Sequence, residues 1–275
     1  MSRIAVIIVT HNSEGVLNRC LTALLCQSQK VQQILLVDSA SDNPSYVERL
    51  AAGKPNIRVL ALSKNVGFAR ANNAGYDLCD SASEYILFLN PDAFPAENAL
   101  ERAAAFLRLN PDVACVGGRL LGWDPGQNQA TGLLDSTGLF RKWYGRWYDR
   151  GQGQPDCGQF DEIEEVAAAC GAFMFCRRKA LEQIRLSDGS VFDPGFFLYK
   201  EDIELCLRFR KAGWRIVYQP EIRVFHCRGW QARQRMPYAL RKVAAESEVY
   251  LYRRHPSPFI LWALVKYLLV LLLRV

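Results

Sequence analysis

The chain has 275 residues, of which 50% are hydrophobic, 11% aromatic and 23% charged, a globular composition that excludes disordered, fibrous and low-complexity classes. The net charge of +6 is uneven: residues 201–275 hold 14 Lys/Arg against 6 Asp/Glu, so this stretch carries +8 and the rest −2. A basic C-terminal region points to an anionic partner such as phosphate, nucleotide or anionic lipid, and lacks the concentrated signal of a nucleic-acid-binding domain. The nine cysteines include no C-x-x-C pair, which argues against zinc-ribbon and thioredoxin-like readings. Most sit in apolar runs, as expected of reduced, buried thiols in a cytosolic protein. Met1–Thr10 reads as a strand, so no signal peptide is expected.

The first 117 residues alternate between two kinds of segment. Ile4–Thr10 is a continuous β-branched run, the pattern of a strand buried on both faces. Glu14–Cys26 has Val16, Leu17, Leu21, Leu24 and Leu25 at helical spacing, with Asn12 or Ser13 as N-cap. Strands are then expected at Gln33–Val37, Ile57–Leu62, Tyr85–Leu89 and Val113–Val116. Helices are expected at Tyr46–Ala52, Ala69–Leu78 and Glu97–Leu109. This is the βαβ signature of a mainly parallel sheet flanked by helices, an α/β fold. Ligands bind such sheets at the carboxyl ends of the strands, here Thr10–Asn12, Asp38–Asp42, Ser63–Gly67 and Asn90–Asp92.

The pattern breaks after Gly117. Residues 118–165 are rich in Gly, Asp and Gln with interspersed Trp and Tyr, and show no clear periodicity. Regular structure resumes with Val166–Cys176, a short helix at Arg178–Ile184 and a helix at Ile203–Ala212. Two short strands (Ile216–Tyr218, Ile222–Phe225) and a helix from Tyr238 to about Arg253 follow. The resulting division is 1–117, 118–236 and 237–275.

Common chemical signatures are absent. There is no G-x-x-x-x-G-K-[ST] phosphate loop, no G-x-G-x-x-G after a strand, no H-E-x-x-H and no G-x-S-x-G. Three histidines, His11, His226 and His255, leave few ways to build a Ser–His or Cys–His hydrolase. Carboxylates at strand ends remain. Asp38 can accept hydrogen bonds from a ribose or base, or form an Asx-turn or helix cap. Asp92, delivered to the same edge by YILFL, can hold Mg²⁺ or Mn²⁺ with a diphosphate, or serve as a turn or N-cap residue. Glu201 and Asp202 open a helix, where the macrodipole favours them. Phe192, Phe196, Phe197, Tyr199 and Phe209 surround the pair, and partial desolvation makes a carboxylate a better proton acceptor. His226 ends a strand and can either be satisfied locally or complete a metal site with Asp92.

Taken together, VIIVTHN at Val6–Asn12, LLVDSASDN, NVGFARANNAG at Asn65–Gly75, FLNPD, GAFMFCRR at Gly171–Arg178, FDPGFFLYKEDIELCLRFRKAGW at Phe192–Trp214 and VFH at Val224–His226 resemble glycosyltransferase family 2. These are the inverting nucleotide-sugar transferases of GT-A fold, and the likeness is to their bacterial rhamnosyltransferase-like branch over about residues 3–255. The resemblance implies that residues 1–117 bind the nucleotide sugar, 118–236 the acceptor, and 237–275 form a helical extension. It implies that Thr10, Asn12 and Asp38 hold the nucleoside and that Asn65, Gly67, Arg70, Asn73 and Asn90 line the donor side. Gly67 would let backbone approach the ligand. Asp92 would bind the divalent metal, with His226 as a further ligand, and Asn90 stands where the motif has its first acid. Gly171 and Ala172 would shape the acceptor floor. Asp202 would be the general base, with Glu201 as its alternate.

Residues 141–154 (RKWYGRWYDRGQGQ) combine aromatics, bases and glycines. Trp143 and Trp147 can stack on an acceptor sugar or pack against the sheet. Phe259–Leu273 has 15 residues and one charge. As a helix it spans about 22 Å, short of a bilayer core of about 30 Å. With Arg228, Arg233, Arg235, Arg241, Lys242, Arg253 and Arg254 before it, it suits peripheral attachment at the inner face of the cell membrane, or burial in the fold or a dimer interface. The expectation is a cytoplasmic, metal-assisted glycosyltransferase of cell-surface polysaccharide assembly. Its donor would be a nucleoside-diphosphate sugar, with rhamnose the first candidate. Its acceptor would be a glycan or lipid-linked glycan, and no nucleic acid is a partner. The competing class is a non-catalytic sugar- or lipid-binding subunit of the same fold.

Overall fold

The structure is a computed structural model that describes residues 2–227 and 236–274. Its first part follows the hydrophobic pattern closely. Strands β1 (Ile4–Thr10), β2 (Gln33–Asp38), β3 (Ile57–Ala61) and β4 (Tyr85–Leu89) lie parallel in the order β4-β1-β2-β3. Helices α1 (Glu14–Leu25), α2 (Ser45–Ala51) and α3 (Phe68–Asp77) connect the first strands, and α4 (Ala99–Leu109) comes later. The strands read as unbroken apolar runs because both faces are covered. Ala5, Ile7, Val37 and Phe88 face one core layer with α3, while Ile4, Val6, Ile8 and Leu87 face the other with α1 and α4.

The register sets the future site. Thr10 lies opposite Asp38, and Ile8 opposite Leu89. The carboxyl ends of β1, β2 and β4 therefore finish side by side, bringing Thr10, Asp38 and Asn90 to one edge.

Beyond β4 the sheet becomes mixed. Strand β11 (Phe173–Arg177) inserts antiparallel between β4 and β6 (Val113–Asp124). Strand β12 (Arg215–His226) lies parallel to β6 and also carries β5 (Ala93–Pro95) and β10 (Glu164–Glu165). Strand β7 (Gln129–Ser136) extends β6 on the other side, and β8 (Leu139–Arg141) pairs with β9 (Trp147–Asp149). The sheet expected to be mainly parallel thus contains an antiparallel half, and β6 runs through the boundary expected at Gly117.

Residues 118–165, which show no periodicity in sequence, therefore hold the end of β6 and four further strands. Register shifts interrupt β6 against β7, so the period of two is broken, and β8 and β9 are three residues each. The two short strands expected at 216–225 are one strand. Its register shifts between Gln219 and Arg223, around Pro220, which has no N–H to give the ladder.

Helices α5 (Arg178–Gln183), α6 (Glu201–Lys211), α7 (Tyr238–Arg254) and α8 (Ile260–Leu273) complete the described residues. Helices α7 and α8 form an antiparallel hairpin, tied by Lys266 to Glu248, Tyr267 to Glu246 and Arg241 to the Arg274 carbonyl. Ala263 and Val270 of α8 are buried. Leu261, Leu264, Val265, Leu268, Leu269, Leu272 and Leu273 are exposed along its outer face. The tail is thus neither enclosed nor a spanning segment, and no helix among the described residues is long and apolar enough to cross a membrane. Of the bases expected to flank it, Arg228, Arg233 and Arg235 lie outside the described residues.

The β6–β12 contact leaves no room for a side chain at Gly118, where an added Cβ would lie 2.3 Å from the Ile222 carbonyl oxygen. Gly118→Ala is expected to destabilise the fold by about 1–3 kcal/mol, the usual range for overpacking, measurable as a lower urea midpoint at unchanged slope.

Candidate active site

The edge where β1, β2 and β3 end is built from short polar turns. The Thr10 hydroxyl is 2.7 Å from the Tyr46 hydroxyl. Asn12 adopts φ +52° and its side-chain amide bonds Asp42 twice, donating at 3.0 Å and accepting from the Asp42 N–H at 2.9 Å. Asp38 is buried, and both its oxygens accept from Ser41, one from the backbone N–H and one from the hydroxyl. Asp38 thereby holds the turn that follows β2 through the residue three positions on, one beyond the reach of an Asx-turn. Asn65 Oδ1 accepts from the Gly67 N–H at 3.0 Å and from the Ser39 hydroxyl at 3.2 Å.

Three residues expected to line the donor pocket hold a loop. Arg70 Nε donates to the Pro194 carbonyl at 2.9 Å. Asn73 donates to the Phe192 carbonyl and accepts from the Val191 and Phe192 N–H groups, at 2.8, 3.1 and 2.8 Å. Gly67 has φ +80°, and an added Cβ would meet the Phe197 carbonyl oxygen at 2.3 Å. The close approach that demands glycine is therefore to the loop backbone. Helix α3 serves as an anchor for residues 191–197, which lead into α6.

At the end of β4, Asp92 meets His226. Asp92 Oδ1 and His226 Nε2 are 3.3 Å apart, and Asn90 Nδ2 lies 3.5 Å from the same nitrogen. On the far side of the ring, Nδ1 pairs with Asp135 Oδ2 at 2.7 Å. The antiparallel pairing of β5 with β12 sets this geometry by putting His226 opposite Ala93, the residue after Asp92. Burial opposes the imidazolium, but Asp92 and Asp135 on either side outweigh it and raise the ring's pKa to about 9. Sequence reasoning missed Asp135. It lies on β7, in the stretch without readable alternation, and only its register beside Leu121 and Leu120 carries it to His226.

Two residues join the start of α6 to this edge. The Asn90 N–H donates to the Ala172 carbonyl at 3.1 Å. The next N–H back, that of Gly171, donates to Asp202 Oδ2 at 2.9 Å, while Asp202 Oδ1 accepts from the Ile203 N–H at 2.8 Å. Before the acids, Tyr199 and Lys200 both take left-handed backbone, φ +70° and +72°, a conformation rare for such side chains and concentrated at functional sites. This turn aims the first residues of α6 back at Gly171.

The two acids differ. Glu201 is 6% exposed, and its Oε2 has no hydrogen-bond partner among the described residues. Burial, then the Asp202 charge, push its pKa up to about 8. Asp202 is also raised by burial, but the Gly171 N–H and Lys200 oppose the shift. Burial thus raises both carboxyls, Lys200 opposes the rise at each, and the Gly171 and Ile203 N–H groups favour the charged form of Asp202.

In the aromatic loop, Trp147 is buried at 5% exposure and belongs to the core, while Trp143 is 87% exposed. The loop rests on the tail. Tyr144 meets Trp262 edge to face at 4.8 Å, and Arg141 lies 4.4 Å from the Phe259 ring centroid.

The family model described as glycosyl transferase family 2 matches residues 5–185. The chain belongs to this family. It is 25% identical over 238 residues to a pre-mycofactocin glycosyltransferase of Mycobacterium tuberculosis, covering 84% of this chain and 45% of that protein. It is 25% identical over 241 residues to the N-acetylglucosaminyl-diphospho-decaprenol L-rhamnosyltransferase of the same organism, covering 80% of this chain and 75% of that one. Among solved structures it resembles GalNAc-T7 with UDP, GalNAc and Mn²⁺, at a TM-score of 0.65 and 17% identity over 91% of this chain and 50% of that one. The fold is therefore GT-A, and the chain spans about half the length of the first of these relatives.

Because Glu201 binds its proton more tightly folded than unfolded, its contribution to stability is present below about pH 4.5 and is lost as pH rises through about 8. Glu201→Gln is expected to flatten that fall. Urea unfolding should give the variant a larger advantage over the parent at about pH 8 than at about pH 5.

Proposed function

We propose that the protein is an inverting, metal-assisted glycosyltransferase that moves a sugar from a nucleoside-diphosphate sugar to a hydroxyl of a glycan or lipid-linked glycan. Rhamnose is the first candidate sugar. The observation that carries the reading is the Gly171–Ala172 junction, which hydrogen-bonds the Asp202 carboxylate on one side and the Asn90 backbone on the other. A proton acceptor and a pair of metal-type donors thus flank one strand edge. Residues 1–117 form the donor half in this reading, 118–236 the acceptor half, and 237–275 the extension.

The donor set suits a divalent cation. Asp92 Oδ1 and His226 Nε2 approach within 3.3 Å, and Asp135 orients the ring from behind, as outer carboxylates do at histidine metal sites. Among the described residues no group of three or more His, Cys, Asp or Glu could hold a metal. The remaining ligands would come from the diphosphate of the donor. Bound there, Mg²⁺ or Mn²⁺ would neutralise charge on the departing nucleoside diphosphate.

The chain's own residues do the rest. Thr10, Asn12, Asp38 and Asn65 present hydrogen-bonding groups to the nucleoside from the ends of β1, β2 and β3. Gly171 and Ala172 floor the acceptor side. The acceptor hydroxyl gives its proton to Asp202 as its oxygen attacks the anomeric carbon, and the nucleotide leaves on the opposite face, which inverts the centre. Glu201, holding its own proton, does not compete for the acceptor's.

Support for attachment to an anionic membrane at its cytoplasmic face comes from α8. Its exposed leucines and valine recur at 261, 264, 265, 268, 269, 272 and 273, one continuous face of a helix about 21 Å long. Exposed Trp143 and Lys142 extend that face at one end, on the loop that packs against Trp262.

A thermal-shift panel with UDP, GDP and deoxythymidine diphosphate tests the donor site. One nucleotide is expected to stabilise the protein strongly with Mn²⁺ and weakly without, and Asp92→Asn should remove the metal-dependent part. No shift from folded protein would instead favour the non-catalytic binding subunit. Asp202→Asn is expected to keep the shift and lose about 10²–10⁴-fold in transfer, and full transfer by this variant would sink the mechanism. For the membrane, co-sedimentation with phosphatidylglycerol vesicles but not phosphatidylcholine vesicles is expected. It should be abolished by Leu264→Asp with Leu268→Asp, and equal binding by the double variant would end that reading.

A further inference from the structure

The loop that precedes Asp202 is gripped from two sides. On one side stands the start of α3. The Phe68 N–H donates to the Phe197 carbonyl at 2.8 Å, and Arg70 and Asn73 hold the earlier residues of the loop. On the other side stands α7, the first helix of the tail hairpin. The Ser247 hydroxyl donates to the Leu198 carbonyl at 2.8 Å. Further along the helix, the Tyr250 hydroxyl donates to Asp193 Oδ1 at 3.1 Å, and Arg254 Nε lies 2.6 Å from Asp193 Oδ2. Phe196 meets the Tyr250 ring edge to face at 4.8 Å. Ser247, Tyr250 and Arg254 follow one another at helical spacing, so they share one face of α7.

Asp193 is the centre of this grip. It is 3% exposed, and its Oδ1 also accepts from the Gly195 N–H at 2.9 Å. An enclosed carboxylate is costly without such partners. At Gly195 an added Cβ would lie 2.2 Å from the Tyr250 hydroxyl oxygen, so the helix packs directly on the loop backbone. Beyond the loop, His255 Nε2 lies 3.2 Å from Glu204 Oε1. The end of α7 therefore touches α6 itself, two residues after Asp202.

The Phe197 and Leu198 carbonyls, one held by α3 and one by α7, come directly before Tyr199 and Lys200. These two residues have the left-handed backbone that aims Asp202 at Gly171. Successive non-glycine residues in this region persist only where the surroundings over-determine them. We propose that Asp193 and Ser247 are positioning residues: they lock the loop to α7 and thereby hold the Tyr199–Lys200 turn in the form that seats the Asp202 carboxylate on the Gly171 N–H. This rests on the reading of Asp202 as the base and gives the tail hairpin a part in placing it. Asp193 fixes the start of the loop, and Ser247 fixes its last residue before the turn. With α3 on the opposite side, neither end of the loop can shift without breaking a hydrogen bond.

The Gly171 N–H reports how Asp202 is seated, because it donates to Asp202 Oδ2 at 2.9 Å. The full chain is labelled with ¹⁵N-glycine and ¹³C-carbonyl cysteine, which singles out the two Cys-Gly pairs, at Gly158 and Gly171. Gly171 is the one whose resonance moves in Asp202→Ala. Amide hydrogen exchange is followed by NMR at Gly171, with Gly75, inside α3, as the internal reference. Ser247→Ala and Asp193→Asn are each expected to speed Gly171 exchange about tenfold, the usual effect of losing one buried hydrogen bond, with Gly75 unchanged. The double variant should exceed both. An unchanged Gly171 rate in the double variant would overturn the proposal, as would equal acceleration at Gly75, which marks general loosening. If the double variant does not fold, the two single variants carry the same comparison. Exchange needs no substrate, so it separates this proposal from the identity of the base. Faster Gly171 exchange in these variants together with full transfer by Asp202→Asn would leave the lock standing and remove Asp202 as base.

Discussion

Two consecutive backbone groups join the halves of this molecule. The Ala172 carbonyl accepts from Asn90, at the end of the parallel strands, and the Gly171 N–H donates to Asp202, at the start of α6. They can do so because β11 enters the sheet antiparallel, with Phe173 opposite Leu89, so that its beginning lies at the edge where β4 ends. A strand in the other direction would put its first residue at the far edge and leave Asp202 without its donor. The site is thus a product of strand direction before it is a product of side chains.

Beside that junction the electrostatics follow one arrangement. A fully enclosed carboxylate holds a cation, and the cation faces a less enclosed carboxylate at the site. Asp135 holds His226 against Asp92. In low dielectric an isolated charge is costly, whereas an alternating chain keeps each member close to its opposite. The inner carboxylate fixes where the cation sits, and the outer one keeps its charge and an open side.

The parallel half of the fold was legible because buried strands and amphipathic helices have simple periods. Ile4–Thr10 and Tyr85–Leu89 have the same bounds in sequence and structure, and the helix ends differ by two residues or fewer. The antiparallel half was not, because register shifts in β6 and β12 and three-residue strands leave no period to read. The same divide runs through the site. Asp38, Asp92 and Asp202 follow or precede regular elements and could be placed at strand ends or helix starts. Asp135 reaches His226 across the fold from an element distant in sequence, and no local pattern announces it. Arg70 and Asn73 were recognisable as polar residues on the correct helix, but their partners, the carbonyls and N–H groups of residues 191–194, come from pairing 118 to 124 positions away.

The greasy outer face of α8 makes this helix the obvious segment to remove when handling the protein in solution. Its inner face carries Lys266, the partner of a carboxylate with no route to water. Trimming the tail for convenience would therefore strip a counter-ion from the layer behind the turn that aims Asp202. A shortened protein with better behaviour in the tube is a different electrostatic object from the full chain, and kinetic comparisons between the two would mix solubility with chemistry.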